Sequence, residues 1–173
     1  MSPQGSVSVS PLNMVFNRGD NVTLNCSAQG GPDNTYQWQH IGADLDNETR
    51  QTLTLPQISV TDGGEYTCVV SNAAGSDSAN TLLNVSPEIV LNPTDVSARN
   101  GTVHMLKCEA EAFPEPQYQW MHVSGMFGEN VVGVDSSILV FDPVIFGDEG
   151  GYYCRATSNG VTVTSDTATL TGL

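Results

Sequence analysis

Short runs of alternating apolar and polar residues recur along the whole chain. In one of them, Val22, Leu24 and Cys26 alternate with Thr23 and Asn25, and a period of two is typical of a β-strand with one buried face. Similar runs return roughly every 8 to 12 residues between clusters of Gly, Asn, Asp and Pro, and no amphipathic helix is evident. The pattern predicts an all-β protein made of short strands, as in a β-sandwich.

The same pattern occurs twice. A shift of 82 residues places the second half of the chain over the first, and beyond the tryptophans the shift becomes 86. The aligned pairs are Cys26 with Cys108, Trp38 with Trp120, and Cys68 with Cys154. The second copy therefore has four additional residues, within 123–137. Two consecutive sandwiches of one kind follow, predicted over residues 1–86 and 87–173.

The four cysteines of the chain limit its chemistry. None lies in a C-x-x-C pair, which argues against the usual zinc and thioredoxin-like sites. Four cysteines allow three disulfide pairings. Since each copy contains two of them, pairing within the copies is the most economical choice, and it joins Cys26 to Cys68 and Cys108 to Cys154.

Each copy also carries a Cys, a Trp 12 positions later, and the motif Asp-x-Gly-x-Tyr-x-Cys. The motif residues are Asp62, Gly64, Tyr66 and Cys68 in the first copy, and Asp148, Gly150, Tyr152 and Cys154 in the second. This combination resembles the immunoglobulin superfamily. The intervals of 42 and 46 residues between cysteines leave little room for extra strands, so the I-set is the most similar subtype.

The resemblance implies two immunoglobulin-like (I-set) β-sandwiches, each with one intra-domain disulfide. It also implies a core in which Trp38 and Trp120 pack on the disulfides, while Tyr66 and Tyr152 anchor a corner through their hydroxyls. The second copy departs from the family pattern at one hairpin. There Asn159 and Gly160 predict a tighter Asn-Gly turn.

The resemblance further implies extracellular protein–protein recognition. The superfamily includes adhesion molecules, axon-guidance receptors and the ectodomains of receptor tyrosine kinases, including invertebrate and sponge forms. The chain is therefore interpreted as an ectodomain fragment of a single-pass cell-surface protein that binds a protein ligand or a homophilic partner. Two alternatives are an intracellular structural module of a giant muscle or cytoskeletal protein, and a soluble immune-recognition protein.

Charge narrows the range of partners. The chain has 5 basic and 19 acidic residues and a formal charge of −14, which argues against nucleic acid as a partner because phosphate recognition needs clustered Lys and Arg. No apolar run is long enough to span a membrane, and no signal-peptide pattern is present. An extracellular protein would therefore be represented here by a fragment.

Catalytic motifs are absent from the sequence. It contains three histidines and neither H-E-x-x-H nor G-x-S-x-G. His40 and His122 occupy the same repeat position and are expected to approach Asp62 and Asp148 in a structural hydrogen bond. No enzymatic activity, cofactor, metal or small-molecule substrate is expected for this segment.

Arg18, Gly19 and Asp20 spell the tripeptide that integrins recognise in some matrix proteins. Gly19 aligns with Gly101 in the turn that precedes a strand of each copy. Gly and Asp are ordinary turn residues. A structural turn is therefore the favoured interpretation, and integrin binding is disfavoured.

Five N-x-S/T sequons predict glycosylation and passage through the secretory pathway. They begin at Asn21, Asn25, Asn47, Asn84 and Asn100. Strand alternation predicts that Asn21, Asn25 and Asn84 point outward, while Asn47 and Asn100 fall in loops.

Glycans at Asn21 and Asn25 would shield one sheet of the first copy, whereas the Trp-bearing sheet of the second copy would remain bare. Alternation around Trp120 and Cys154 points Met121, Tyr153 and Arg155 to solvent on that sheet. The four-residue insertion adds Met126 and Phe127. These residue types are enriched in interfaces. The predicted partner-binding residues are Met121, Met126, Phe127, Tyr153 and Arg155.

Overall fold

A computed structural model describes residues 6–29, 31–124 and 128–172. The chain divides into two compact units, Met1–Ser86 and Pro87–Leu173, called domain 1 and domain 2 below. Both are β-sandwiches. The described residues of each include one short 3-10 helix, Val60–Asp62 in domain 1 and Phe146–Asp148 in domain 2.

Domain 1 consists of two sheets. Its strands are β1 (Ser8–Ser10), β2 (Val15–Phe16), β3 (Val22–Ser27), β4 (Thr35–His40), β5 (Ala43–Asp44), β6 (Thr52–Leu55), β7 (Gly64–Asn72) and the first part of β8 (Gly75–Leu91). Strands β1, β3 and β6 form one sheet, and β8, β7, β4 and β5 lie in the other, with β2 pairing in parallel with β8. The last residues of β8, from Pro87 onward, belong to domain 2.

Domain 2 repeats this arrangement. Its further strands are β9 (Val96–Ala98), β10 (His104–Lys107), β11 (Glu109–Phe113), β12 (Gln117–Ser124), β13 (Gly128–Val134), β14 (Ile138–Phe141), β15 (Gly150–Ser158), β16 (Val161–Thr164) and β17 (Ala168–Gly172). Strand β10 pairs with β14, while β13, β12, β15, β17 and β9 form the larger sheet. The all-β fold predicted from the alternating pattern is confirmed.

Burial follows the predicted alternation. In β3, Val22, Leu24 and Cys26 are buried while the residues between them are exposed. Trp38 and Trp120 are fully buried, each next to a disulfide cysteine on the neighbouring strand. The disulfides join Cys26 to Cys68 and Cys108 to Cys154, which confirms the predicted pairing. The cores thus form where the two sheets of each domain face each other.

The insertion in domain 2 lengthens one edge strand. Strand β5 of domain 1 has two residues, whereas its counterpart β13 has seven and pairs with β12 along its length. The predicted Asn-Gly turn is also present. Asn159 and Gly160 have φ angles of 48° and 78°, the two positive values that a type I′ hairpin turn requires.

A tyrosine corner stabilises both domains. The hydroxyl of Tyr66 donates to the carbonyl oxygen of Asp62 at 2.8 Å, and that of Tyr152 donates to the carbonyl oxygen of Asp148 at 2.6 Å. Burial, with a smaller contribution from the Asp62 carboxylate, raises the pKa of Tyr66 to about 12. Burial, followed by the Asp148 carboxylate, raises the pKa of Tyr152 as well.

The two histidines pack on these tyrosines. The rings of His40 and Tyr66 stack with centroids 4.4 Å apart, as do those of His122 and Tyr152. His40 Nε2 donates to the carbonyl oxygen of Gly63 at 3.0 Å.

His122 Nε2 likewise donates to the carbonyl oxygen of Glu149 at 3.1 Å. The expected structural hydrogen bond of each histidine is therefore present, but its acceptor is a backbone carbonyl of the corner and not the carboxylate of Asp62 or Asp148. Those carboxylates already accept the backbone amides of Ser59 and Ile145 at 2.7 and 2.8 Å, where they hold the 3-10 turns.

Candidate functional site

Three of the predicted partner-binding residues, Met121, Tyr153 and Arg155, belong to β12 and β15 in domain 2, and the outward face of β12, β13 and β15 is called the C-face below. Met121 of β12 lies between Tyr153 of β15 and Val131 of β13. The next row along the sheet contains Gln119, opposite Arg155 and Val134. Strand pairing therefore brings Met121, Tyr153 and Arg155 onto one surface.

Arg155 is held over the middle of the C-face. Its Nη2 donates to the Tyr153 hydroxyl at 3.0 Å, and its guanidinium carbon lies 5.5 Å from the centroid of that ring. The same nitrogen is 3.8 Å from a carboxylate oxygen of Glu129 on β13. Burial, followed by the Glu129 carboxylate, raises the pKa of Tyr153, while the Arg155 guanidinium opposes this rise.

This network corrects the predicted exposure of two residues. Met121 and Tyr153 were expected to face solvent, but they are only 6% and 7% exposed. Arg155 and Glu129 extend across the Tyr153 ring, and Met121 lies on a central strand with large side chains on both sides. Strand alternation predicts which face of the sheet a side chain points to. It does not predict whether neighbouring side chains cover that side chain.

The other described residues of the C-face are more exposed. The Arg155 side chain is 38% exposed, and Val131 and Val134 on the edge strand are exposed. Met126 and Phe127, which were also predicted to bind a partner, lie outside the described residues.

A second surface was missed by the sequence analysis. It is the outward face of β10 and β14 in domain 2, called the B-face below. Met105 lies directly opposite Val140, and their side chains are 57% and 54% exposed. Lys107 lies opposite Ile138 in the adjacent row. The available signal was the unbroken apolar run of residues 138–141, because a strand with two apolar faces does not alternate.

The corresponding face of domain 1 is polar. Thr23 lies opposite Thr54, and Asn25 lies opposite Thr52 and Ser10. All of these residues are exposed. Beside them an open groove of about 330 Å³ is lined by Asn47, Glu48, Arg50, Thr52 and Thr54. The two domains thus differ in chemistry on the same side of the same fold.

Four of the five sequon asparagines are exposed: Asn21, Asn25, Asn47 and Asn100. Asn84 is only 2% exposed, so its predicted outward position is wrong. Strand β2 lies directly beside it, and the Asn84 backbone amide donates to the Met14 carbonyl at 3.1 Å. Its Oδ1 has no hydrogen-bond partner. A folded domain 1 therefore has no room for a glycan at Asn84.

The integrin-like tripeptide forms a tight turn. Gly19 has a φ of 86°, the same as Gly101 at the equivalent position of domain 2. The Gly19 amide donates to Ile58 at 2.7 Å, and the Asp20 carboxylate accepts the Asn17 amide at 2.9 Å. These contacts agree with a structural interpretation of the tripeptide.

Neither metal-binding nor membrane-spanning features are found in the described ranges. Among residues 6–29, 31–124 and 128–172, no cluster of three His, Cys, Asp or Glu side chains is arranged to hold a metal ion. None of the helices in those ranges is long and apolar enough to cross a membrane.

Two consecutive β-sandwiches, each with one internal disulfide and a tyrosine corner, define a tandem immunoglobulin-like protein. The chain belongs to the immunoglobulin domain family, whose model matches residues 5–72 and 86–158. This assignment is consistent with a segment that is not an enzyme.

Comparisons with individual proteins support the same assignment. The chain is 33% identical over 162 residues to the basement membrane-specific heparan sulfate proteoglycan core protein of Mus musculus, covering 91% of this chain and 4% of that protein. It is 28% identical over 171 residues to Hemicentin-1 of Mus musculus, covering 92% of this chain and 3% of that protein. The relatives are extracellular or cell-surface adhesion proteins, which supports an extracellular adhesive or recognition module.

The fold is also similar to solved structures. The N-terminal four immunoglobulin domains of Dscam1 isoform 8.4 match with a TM-score of 0.73 and 23% identity, covering 99% of this chain and 48% of that one. At this identity the likeness concerns the fold alone.

Proposed function

We propose that the chain is a recognition segment of a cell-surface adhesion or receptor protein, and that it binds a protein partner through the C-face of domain 2. The observation that carries the proposal is the network in which Tyr153 and Glu129 hold the partly exposed Arg155. Exposed Val131 and Val134 extend the surface toward the edge of the sheet.

The network favours binding for an energetic reason. A free arginine side chain loses rotamer entropy when a partner immobilises it, whereas Arg155 is already positioned by the ring and hydroxyl of Tyr153. Arg and Tyr are also the residue types most enriched among binding hot spots. The net charge of −14 favours a partner that is basic overall, since opposite charges accelerate encounter.

Binding can be tested on an array of purified extracellular domains of other adhesion proteins, since self-association is measured separately below. We expect wild-type protein to bind at least one member, and Arg155→Ala and Val131→Asp to weaken that binding at least tenfold. Arg50→Ala removes an exposed arginine of domain 1 and serves as the matched control. Wild-type binding to none of the array, or equal binding by all variants, would contradict the proposal.

The extracellular location can be tested by secretion from eukaryotic cells. We expect enzymatic removal of N-glycans to lower the mass of the secreted protein, and Asn21→Gln to reduce that difference. Ser86→Ala destroys the Asn84 sequon without changing the buried asparagine and should leave the difference unchanged. Four free thiols in freshly isolated native protein would contradict the proposal and support an intracellular structural module.

Single-pass membrane anchoring is part of the same proposal, and a kinase domain elsewhere on the parent chain is compatible with it. The chain spans only 4% and 3% of the two relatives described above, so much of a parent protein would lie outside it. Sequencing the parent transcript tests both features. A transcript without a membrane-spanning segment would favour a secreted protein.

A further inference from the structure

We propose that the B-face of domain 2 binds a second copy of this chain. The inference deepens the proposed recognition function and rests on it, but it names a different face from the C-face and a specific partner. It follows from the distribution of apolar and charged side chains along β10 and β14.

The centre of the B-face is apolar. Met105 and Val140 form a cross-strand pair with more than half of each side chain exposed. Val103, one residue before β10, is 58% exposed. Single exposed apolar residues need no explanation, whereas contiguous ones mark interaction sites.

The two ends of the B-face carry opposite charges. Lys107, the sole lysine of the chain, lies at one end of the β10 and β14 pair, opposite Ile138. At the other end, where His104 and the buried Phe141 face the core, the outward residues are the exposed Val103 and Asp142. Along the strands the order is therefore basic, apolar, acidic.

Such an order complements itself. A two-fold axis perpendicular to the strands turns the second copy end to end and places the Met105 and Val140 pair of one copy on that of the other. The same rotation brings Lys107 of each copy toward Asp142 of its partner. Two ion pairs then flank an apolar centre, as in an isologous interface with a polar rim.

Local complementarity is needed because the chains repel each other overall. Each copy carries a net charge of −14, and this repulsion must be offset within the contact. Lys107 also contacts Glu109, the first residue of β11, at 2.5 Å, a pair with both side chains about half exposed. An exposed pair of this kind contributes little and can be shared with a partner carboxylate.

The corresponding face of domain 1 does not have this self-complementary order of side chains. Its equivalent rows contain Thr23 with Thr54 and Asn25 with Thr52. They carry neither an apolar centre nor charges of opposite sign. The second copy is therefore expected on domain 2 alone.

The proposal can be tested by sedimentation equilibrium on the N-glycan-free chain, because a glycan at Asn100 would stand three residues from Val103. We expect wild-type protein to dimerise with rising concentration. Lys107→Glu and Asp142→Lys should each weaken the dimer about tenfold, since close charge pairs contribute on this scale. An equimolar mixture of the two variants should restore a dimer, because both flanking contacts of the mixed dimer again join an acidic and a basic side chain.

Controls separate this surface from the C-face and from misfolding. Glu115→Lys and Arg155→Glu change the net charge by the same amounts elsewhere on domain 2 and should leave the dimer intact. Met105→Ser should weaken it with an unchanged melting temperature. A wild-type chain that stays monomeric, a mixture that does not dimerise, or a dimer broken by Arg155→Glu would overturn the inference. Binding to other proteins on the array would remain a separate result, unaffected by Lys107→Glu.

Discussion

Domains 1 and 2 have nearly the same interior and different surfaces. Each has one internal disulfide, a buried tryptophan beside it and a tyrosine corner with a stacked histidine. On the outside, the sheet around β3 and β6 presents Ser, Thr and Asn, whereas the sheet around β10 and β14 presents Met105 and Val140. The inward positions are constrained by the fold, and the outward positions are free to differ in function.

The largest expected effect concerns the shared interior. Replacing both cysteines of one domain by alanine should lower the free energy of unfolding of that domain by about 2 to 5 kcal/mol. The loops closed by the disulfides span 42 and 46 residues, so the chain-entropy account predicts nearly equal losses. Urea denaturation of Cys26→Ala/Cys68→Ala and Cys108→Ala/Cys154→Ala measures both. A loss confined to one domain would show that the interiors are not energetically equivalent.

A smaller effect should separate the two corners. A Cβ at Gly150 would lie 2.6 Å from the His122 ring and 2.8 Å from the Val123 carbonyl oxygen, whereas at Gly64 the nearest atom is a flexible Ile41 carbon at 3.0 Å. Both glycines have positive φ, so either change to alanine stores strain of roughly 1 to 3 kcal/mol.

We expect Gly150→Ala to cost more than Gly64→Ala, since a backbone carbonyl yields less readily than a side chain. Thermal unfolding of the two variants checks the order. Gly147→Ala is the control, because its Cβ would meet nothing nearer than 4.0 Å. The reverse order would mean that the contacts around Gly150 relax more easily than those around Gly64.

The smallest effect concerns the tyrosine hydroxyls. Tyr66→Phe removes the hydrogen bond to the Asp62 carbonyl and should cost about 1 kcal/mol at neutral pH. The pKa of Tyr66 is raised from 10.0 to about 12 in the folded state. The neutral phenol therefore stabilises the fold fully below pH 10, and this contribution is lost as the pH rises from 10 to 12.

Unfolding free energies at several pH values test this expectation. The difference between wild type and Tyr66→Phe should shrink through the interval from pH 10 to 12, and Tyr152→Phe should behave in the same direction. A difference that stays constant with pH would show that the Tyr66 hydroxyl ionises alike in the folded and unfolded chain.

The interior was predictable from sequence because two independent patterns, the internal repeat and the strand alternation, indicate the same core residues. The repeat aligns Cys26 with Cys108 and Trp38 with Trp120, and alternation assigns their neighbours to the core or to the surface. The type I′ turn was predictable for a local reason, since Asn159 and Gly160 tolerate the required φ angles.

The surface was less predictable because exposure depends on distant segments. Asn84 alternates with Leu83 and Val85, yet its side chain is buried beside strand β2 and donates through Nδ2 to the carbonyl oxygen of Met14, 70 residues earlier. Tyr153 points outward as expected but lies under Arg155 and Glu129 from its own sheet. Sequence periodicity carries no information on either covering group.

The B-face shows a different limit. Met105 and Val140 stand 35 positions apart in the sequence, and each alone is an ordinary exposed apolar residue. Only the pairing of β10 with β14 brings Val140 beside Met105. To predict the B-face, it is necessary to know which strands pair with each other, and alternation within a single strand does not show this.

The burial of Asn84 has a consequence for biosynthesis. Its side chain is 2% exposed beside strand β2, yet the N-x-S sequence around it is intact. A buried side chain has no space for an attached oligosaccharide, so a modified Asn84 and the pairing of β2 with β8 exclude each other. If the chain passes through the secretory pathway, as proposed above, domain 1 completes this sheet only in molecules whose Asn84 is left unmodified.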